Sequence, residues 1–403
     1  MDRMNSRHIP LIITFIAFIC LGMPDSVLGV AWPSIRQEYL LPQSGLGLVL
    51  IGVGLGFITM SFNMGSLVRR LGMGKLLALG MLLVAIGLTG YVLSNSWPIF
   101  LLSAFVAGMG IGSMQSGLNA YIAEKFSGRQ VNWLHACYGL GATIGPLLMT
   151  VAIQQMGSWR WGYLVIIGCA LAMSLTFTLT RRRWILSAPD KTPPPVPTPQ
   201  ATLPLVELAK PALASKRTAL KNPIVRLQIG LFFLYTGVEV TAGQWSFTLL
   251  TEARGLEAAQ AGLWVSAYWA FLMIGRIAFG FLMGWLPITH LVRGSMVGVV
   301  VGSGLLALQG GAVLSVIGLA LLGFALAPIF PSLMKQTPER VGAGLATHAV
   351  GFQASAATLG VMVIPGFTGL LIQQYSLEMV GVVLVIVATS LLLLHEHLVR
   401  RTS

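Results

Sequence analysis

The sequence predicts an all-α polytopic membrane protein with twelve transmembrane helices in two pseudo-symmetric six-helix bundles. Three observations lead there. Of 403 residues, 55% are hydrophobic and only 9% are charged, whereas soluble domains carry about 25% Asp, Glu, Lys and Arg. Mean hydropathy is +0.81, so long stretches must be free of charge. A stretch of roughly 20 apolar residues crosses ~30 Å of hydrocarbon, which gives this length about twelve crossings and leaves no room for a sizeable soluble domain. Finally, the apolar runs fall into two sets of six around one polar, proline-rich gap.

The first run, 11–31, is too long for a signal-peptide core of about 7–15 residues and is read as a spanning helix. The second, 43–68, ends against Arg69 and Arg70; the third, 75–95, opens on Lys75; the fourth, 98–123, stops before Glu124 and Lys125. The fifth, 131–156, follows Arg129, and the sixth, 161–181, starts after Arg160. Residues 182–224 then run through PDKTPPPVPTPQATLP, whose prolines favour an extended, solvated chain. They form a linker between an N-terminal bundle, 1–181, and a C-terminal bundle, 225–403. The second set is 225–250, 259–284, 289–306, 310–334, 345–372 and 377–398.

The net charge of +13 is a topology signal. With both termini cytoplasmic, the outer connections hold only Arg36, Arg160 and Arg254. Arg3, Arg7, Arg69, Arg70, Lys75, Lys125, Arg129, the linker cations, Arg293, Lys335, Arg340, Arg400 and Arg401 lie inside. Lysine and arginine bias in short loops orients membrane proteins this way. A multi-pass protein of the cell inner membrane follows, with membrane lipids as partners through headgroup charge and no need for a nucleic acid. Cys20, Cys137 and Cys169 sit in apolar runs, too few and scattered for a disulfide framework or metal site.

The halves repeat. LGMPDSVLGVAW in the first run and YTGVEVTAGQW in the seventh align Asp25 with Glu239 and Gly29 with Gly243, and Trp32 lies near Trp245. Gly65-Ser-Leu and Gly280-Phe-Leu close the second and eighth runs at nearly the same offset.

Ionisable groups inside a span are expensive and face the bundle interior or a water-filled cavity. Asp25, Glu239, His135 and Arg276 stand out. Counted from Leu11, Asp25 falls about 21 Å into its helix, in the outer half, and Glu239 falls near the middle of its own. Asp25, Glu239 and His135 are the candidate coupling residues, able to carry a proton or bind a polar solute, against the alternative of structural hydrogen bonds. Arg276 falls in the inner half of its helix, where snorkelling or gate pairing is favoured over substrate contact.

Amides and aromatics complete a candidate substrate site: Asn63, Gln115, Asn119, His135, Glu239, Gln244, Trp245, Trp269 and Gln353. Amides pair with sugar hydroxyls and indole rings pack on sugar C–H faces, although interhelical amides also act as packing glue. Gly139, Gly141, Gly145 and Pro146 in the fifth run, and Ala357, Gly360 and Pro365 in the eleventh, allow close helix approach and bending at moving gates. There is no phosphate loop, nucleophile elbow or HExxH, which speaks against ATP-driven transport and against an enzyme. No cofactor or metal is expected.

These residues resemble the major facilitator superfamily along the whole chain. GSLVRRLGMGK from Gly65 is similar to its signature G-x-L-x-D-R-x-G-R-[KR]: Gly65, Leu67, Arg70 and Gly72 stand, but Arg69 replaces the aspartate. The resemblance implies an inner gate at Arg69, Arg70 and Arg276 that closes without the usual aspartate pair. Within the superfamily, Asp25, QSGLNAYI from Gln115, HACYGLGATIGP from His135, GVEVTAGQW from Gly237 and APIFPSL from Ala327 resemble the fucose:proton symporter branch. That branch carries a proton-exchanging glutamate in the fourth helix, and Gln115 stands in its place. The resemblance implies a monomeric secondary transporter of a small polar solute, a sugar, moved with a proton or Na⁺ by alternating access. The alternatives are a proton-driven exporter of cationic amphiphiles and a uniporter without ion coupling.

Overall fold

The computed structural model describes residues 2–126, 128–185, 216–282 and 287–402. Most of the expected linker, 186–215, lies outside the described residues. The helices are α1 (Asp2–Glu38), α2 (Gly45–Leu71), α3 (Met73–Leu93), α4 (Trp97–Lys125), α5 (Gly128–Met156), α6 (Trp159–Leu179), α7 (Lys216–Lys221), α8 (Pro223–Thr248), α9 (Ala258–Leu282), α10 (Ile288–Ala307), α11 (Ala312–Leu326), α12 (Ile329–Val341), α13 (Ala343–Gln374) and α14 (Met379–Thr402). α11 and α12 form one span interrupted at Ala327-Pro328, and α8 continues through a π-turn to Ala253. Twelve spans among the described residues are long and apolar enough to cross a membrane.

Helix ends differ most from expectation at α1. Hydropathy alone ended this span at Ala31, yet the helix runs seven residues further, to Glu38. Packing supports the polar extension: Trp32 and Ile35 are fully buried, and Glu38 accepts from Trp159 Nε1 at 2.9 Å and Arg160 Nη1 at 2.7 Å. The sixth helix ends at Leu179, followed by a 3₁₀ turn, Arg181–Arg183. Trp184, expected in the linker, is buried against Tyr121 and Phe177 and donates to Thr180 Oγ1 at 3.0 Å.

The repeat is visible in the packing. In the first group α1 lies on α5, α2 and α3 on α4, and α3 on α6; in the second α8 lies on α13, α9 and α10 on α11, and α10 on α14. The same scheme appears twice, as expected when one amphipathic pattern is duplicated. The groups meet along α1–α8, α2–α13 and α5–α9. The last two are related contacts with the groups exchanged, so the interface is a pseudo-two-fold one.

Glycines set these approaches. A Cβ on Gly56 would lie 2.0 Å from the Phe105 carbonyl within the first group, and one on Gly47 would lie 2.7 Å from Gly366 Cα across the interface. Close to Gly47, Arg36 Nη2 meets Glu252 at 3.0 Å, Gln43 Nε2 donates to Glu252 at 3.2 Å, and Ser44 Oγ donates to Gln373 at 2.5 Å. The groups are therefore drawn shut at the end that carries Glu38, Gly45, Ala253 and Gln374.

Gly56→Val should lower thermal stability by about 1–3 kcal/mol through overpacking inside one group. Gly47→Val should leave stability nearly unchanged but reduce disulfide formation between Ser44→Cys and Gln373→Cys several-fold, read on denaturing gels. Equal cross-linking in the Gly47 variant would contradict this view of the interface.

Candidate functional site

Asp25 and Glu239 stand at one depth. With α1 extended to Glu38, Asp25 lies thirteen residues, or about 20 Å, from that end, and Glu239 lies fourteen residues, about 21 Å, from Ala253. Asp25 thus moves from the expected outer half to the middle of its span. The duplicated sequence places the two acids on α1 and α8, which pack together across the interface.

Local sequence determines how each acid is met. A Cβ on Gly22 would lie 2.1 Å from the Tyr138 carbonyl, and one on Gly141 would lie 2.0 Å from the Ile19 carbonyl. With no side chain at either position, α5 lies directly on α1, and the Tyr138 hydroxyl donates to Asp25 Oδ2. Gly29 does the same for the second group, because a Cβ there would lie 2.5 Å from the Gln244 carbonyl. Gln244 Nε2 then donates to the Asp25 backbone carbonyl at 2.8 Å, a bond from one helix group to the other.

Glu239 has the strongest partner. Arg276 Nη2 on α9 approaches its Oε1 to 3.4 Å, and the Tyr268 hydroxyl donates to its backbone carbonyl at 2.8 Å. The sequence reading took Arg276 toward the cytoplasmic edge as a gate residue, whereas the structure sets it beside Glu239. A membrane-buried arginine needs a counter-charge, and Glu239 supplies it. Among the described residues, two buried polar atoms around this cluster, Gln244 Oε1 and Trp269 Nε1, have no hydrogen-bond partner, while the Tyr235 hydroxyl lies beside Glu239 and Arg276. Tyr235 is one helical turn before Glu239, and the Trp269 ring lies against Gly243, where a Cβ would come within 2.5 Å of it. Together they offer an acceptor, a donor and a hydroxyl that is both.

The other expected site residues divide. His135, one turn before Tyr138, is exposed and packs edge-on against Phe18 at 5.7 Å. Gln115 and Asn119 occupy α4 and, among the described residues, form no hydrogen bond to the cluster; Asn63 is exposed and donates to Thr59 O of its own helix at 2.7 Å. Arg69 and Arg70 are exposed at the end of α2, with Arg69 reaching Ser66 at 3.4 Å. Trp245 is fully buried and donates to the Pro365 carbonyl at 3.0 Å, which ties α8 to α13. Gln353 is a correction: it is fully buried and donates to Gln228 Oε1 at 3.1 Å and Thr337 Oγ1 at 2.9 Å, so its amide is used within the second group. Tyr235, Tyr268 and Tyr138 are site residues that the sequence does not single out; the i−4 spacing of Tyr235 from Glu239 and the i+3 spacing of Tyr138 from His135 are the available signals. Among the described residues no group of three His, Cys, Asp or Glu is placed to hold a metal.

The model of the Major Facilitator Superfamily matches residues 14–365. The chain belongs to the major facilitator superfamily. Its family and fold are those of membrane transporters of small solutes. The chain is 23% identical over 295 residues to Bypass of stop codon protein 6 of Saccharomyces cerevisiae, an alignment covering 69% of this chain but only 59% of the yeast protein. Its fold is similar to that of the nucleoside transporter NupG, with TM-score 0.69 and 15% identity over 98% of both chains. It is also similar to the transporter FucP in the outward conformation, with TM-score 0.63 and 14% identity over 98% of this chain and 99% of that one.

The pairing of Glu239 with Arg276 makes a double-mutant cycle informative. Arg276→Gln alone strands a buried carboxylate and should lower thermal stability by roughly 3 kcal/mol, whereas Glu239→Gln/Arg276→Gln together should recover most of that loss. Additive losses in the double variant would show that the pair is not a unit.

Proposed function

We propose that this superfamily member moves a neutral polyhydroxylated solute of sugar size with a proton, by rocking residues 1–181 against 225–403 around the Asp25–Glu239 cluster. The reading rests on one observation: the cluster joins two repeat-related acids at mid-span to a buried acceptor, Gln244 Oε1, and a buried donor, Trp269 Nε1, that lack partners among the described residues. Sugar hydroxyls both donate and accept, and they satisfy Gln244 Oε1 and Trp269 Nε1 without bringing a charge into the span. The similarity in fold to a protein named a nucleoside transporter and to one named a fucose:proton symporter supports a polyol.

Asp25 is the proton carrier in this reading. Charged, it holds the Tyr138 hydroxyl as a charge-assisted donor; protonated, it loses most of that attraction and releases Tyr138 toward a solute hydroxyl. Protonation and solute binding thereby favour each other, and by linkage the effect is reciprocal. Glu239 is already neutralised by Arg276 and serves as a bidentate acceptor for solute hydroxyls, with His135 at the rim. Gln115 has no exchangeable proton, so the fourth helix contributes amides and not coupling.

The termini face the cytoplasm of a cell whose inner membrane holds the protein, and the end closed by Arg36 and Glu252 is the outer one. Closure there, with Arg69 and Arg70 exposed at the other end of α2, corresponds in this reading to the inward-open half of the cycle.

In proteoliposomes, an inward proton gradient should drive saturable accumulation of a labelled monosaccharide or nucleoside. Asp25→Asn should abolish accumulation while retaining solute exchange at equilibrium, since only coupling is lost. Accumulation driven by Na⁺ alone, or by neither ion, would overturn proton coupling; extrusion of a lipophilic cation without any effect of polyols would overturn the substrate class.

A further inference from the structure

A second site lies about 22 Å along α8 from Glu239, fifteen residues away at Ile224. There the first turns of α8 and α10 and the last turns of α12 and α14 enclose a pocket of about 410 Å³. Its wall includes Ile224, Thr289, Gln336, Glu339, Arg340 and Arg401. None of these belongs to the solute cluster.

Two of these side chains carry buried polar atoms with no partner among the described residues. Gln336 is 8% exposed and its Oε1 receives no donor; Arg340 Nη1 meets no acceptor. Polar atoms withdrawn from water in this way are normally paired, so their joint presence in one pocket wall points to a ligand. Its chemistry follows from what they lack. Arg340 requires an acceptor, best an anionic oxygen, and Arg401 adds a second guanidinium able to share a phosphate. Gln336 Oε1 requires a donor, and Glu339 favours one that is positively charged. Thr289 is in the first turn of α10, a 20-residue helix whose N-cap position is Pro287 with no side-chain cap, so the positive end of that helix borders the pocket. A phosphoester carrying a nearby hydroxyl or ammonium matches the set.

Depth favours one source of that chemistry. The apolar spans Pro223–Ala253, Ile288–Ala307, Ala312–Val341 and Met379–Thr402 all have an end at this pocket, and the end of an apolar span is where lipid headgroups lie. We propose that the pocket binds the headgroup of one membrane phospholipid, with its phosphodiester between Arg340 and Arg401 and its hydroxyl or ammonium on Gln336 and Glu339. The bound lipid bridges four helices of the second group and leaves the first group free.

Native mass spectrometry of the full-length protein in detergent tests this. Phosphatidylethanolamine and phosphatidylglycerol would be titrated separately, with glycerol 3-phosphate and inorganic phosphate as competitors. One phospholipid should be retained per protein, and Arg340→Gln/Arg401→Gln should weaken retention about tenfold, as expected for lost charge-assisted bonds. Gln336→Leu, which keeps the shape of the side chain, should weaken retention several-fold and serves if the arginine variant does not fold. Asp25→Asn should retain the lipid as the wild type does. Unchanged retention in folded Arg340→Gln/Arg401→Gln protein would overturn the proposal. Displacement by glycerol 3-phosphate or inorganic phosphate at concentrations comparable to the lipid would also overturn it, since the ligand would then be water-soluble.

Discussion

An ionisable side chain in the hydrocarbon core must have a partner, and that requirement organises the middle of this protein. Glu239 faces Arg276, and Asp25 receives the Tyr138 hydroxyl. Leaving such a charge alone costs several kcal/mol, a large fraction of the stability of most folds. The rest of the architecture serves to bring these partners together. Glycines at positions 22 and 141 bring α1 against α5, and Gly29 brings α8 against α1. Where a side chain stood at these positions, the hydrogen bonds could not form.

The ties between the two helix groups differ in strength from those within each. At the closed end, the side chains of Arg36 and Glu252 are 28% and 32% exposed. Exposed ion pairs of this kind contribute roughly 0–1 kcal/mol. Within the second group, Gln228, Thr337 and Gln353 form a fully buried network whose loss would leave unsatisfied polar atoms. A solvated tie at the closed end, one buried amide bond from Gln244 to the Asp25 carbonyl at mid-span, and a buried network inside the second body suit rigid-body rocking. The duplicated packing scheme gives both bodies the same internal bracing.

The sequence was most informative where charge is rare. Hydropathy locates twelve spans, and the scarcity of ionisable residues inside them singles out Asp25, Glu239, His135 and Arg276. It was least informative about direction and depth. Gln353 and Gln244 are both amides in apolar runs, yet one is consumed by its own bundle while the other reaches the opposite one. That difference depends on which side of a helix faces which neighbour, and hydropathy does not encode it. Hydropathy sets Asp25 too far out because the mixed stretch 32–38, which ends in Arg36, Gln37 and Glu38, is helical through packing on Trp159 and Arg160. Arg276 was read as a gate for a similar reason, since its counter-charge lies on a helix distant in sequence. Tyrosine hydroxyls carry no hydropathy signal at all, so Tyr235 and Tyr268 emerged only with the structure.

The central claim is that solute and proton cross together through the Asp25–Glu239 cluster. The most direct test is the pH inside proteoliposomes loaded with a pH-sensitive dye, recorded when an inward polyol gradient is imposed with no pH gradient and no membrane potential. Acidification of the lumen that follows solute entry, and that is absent in Asp25→Asn protein, is the predicted result. Solute entry at a constant internal pH would contradict the account.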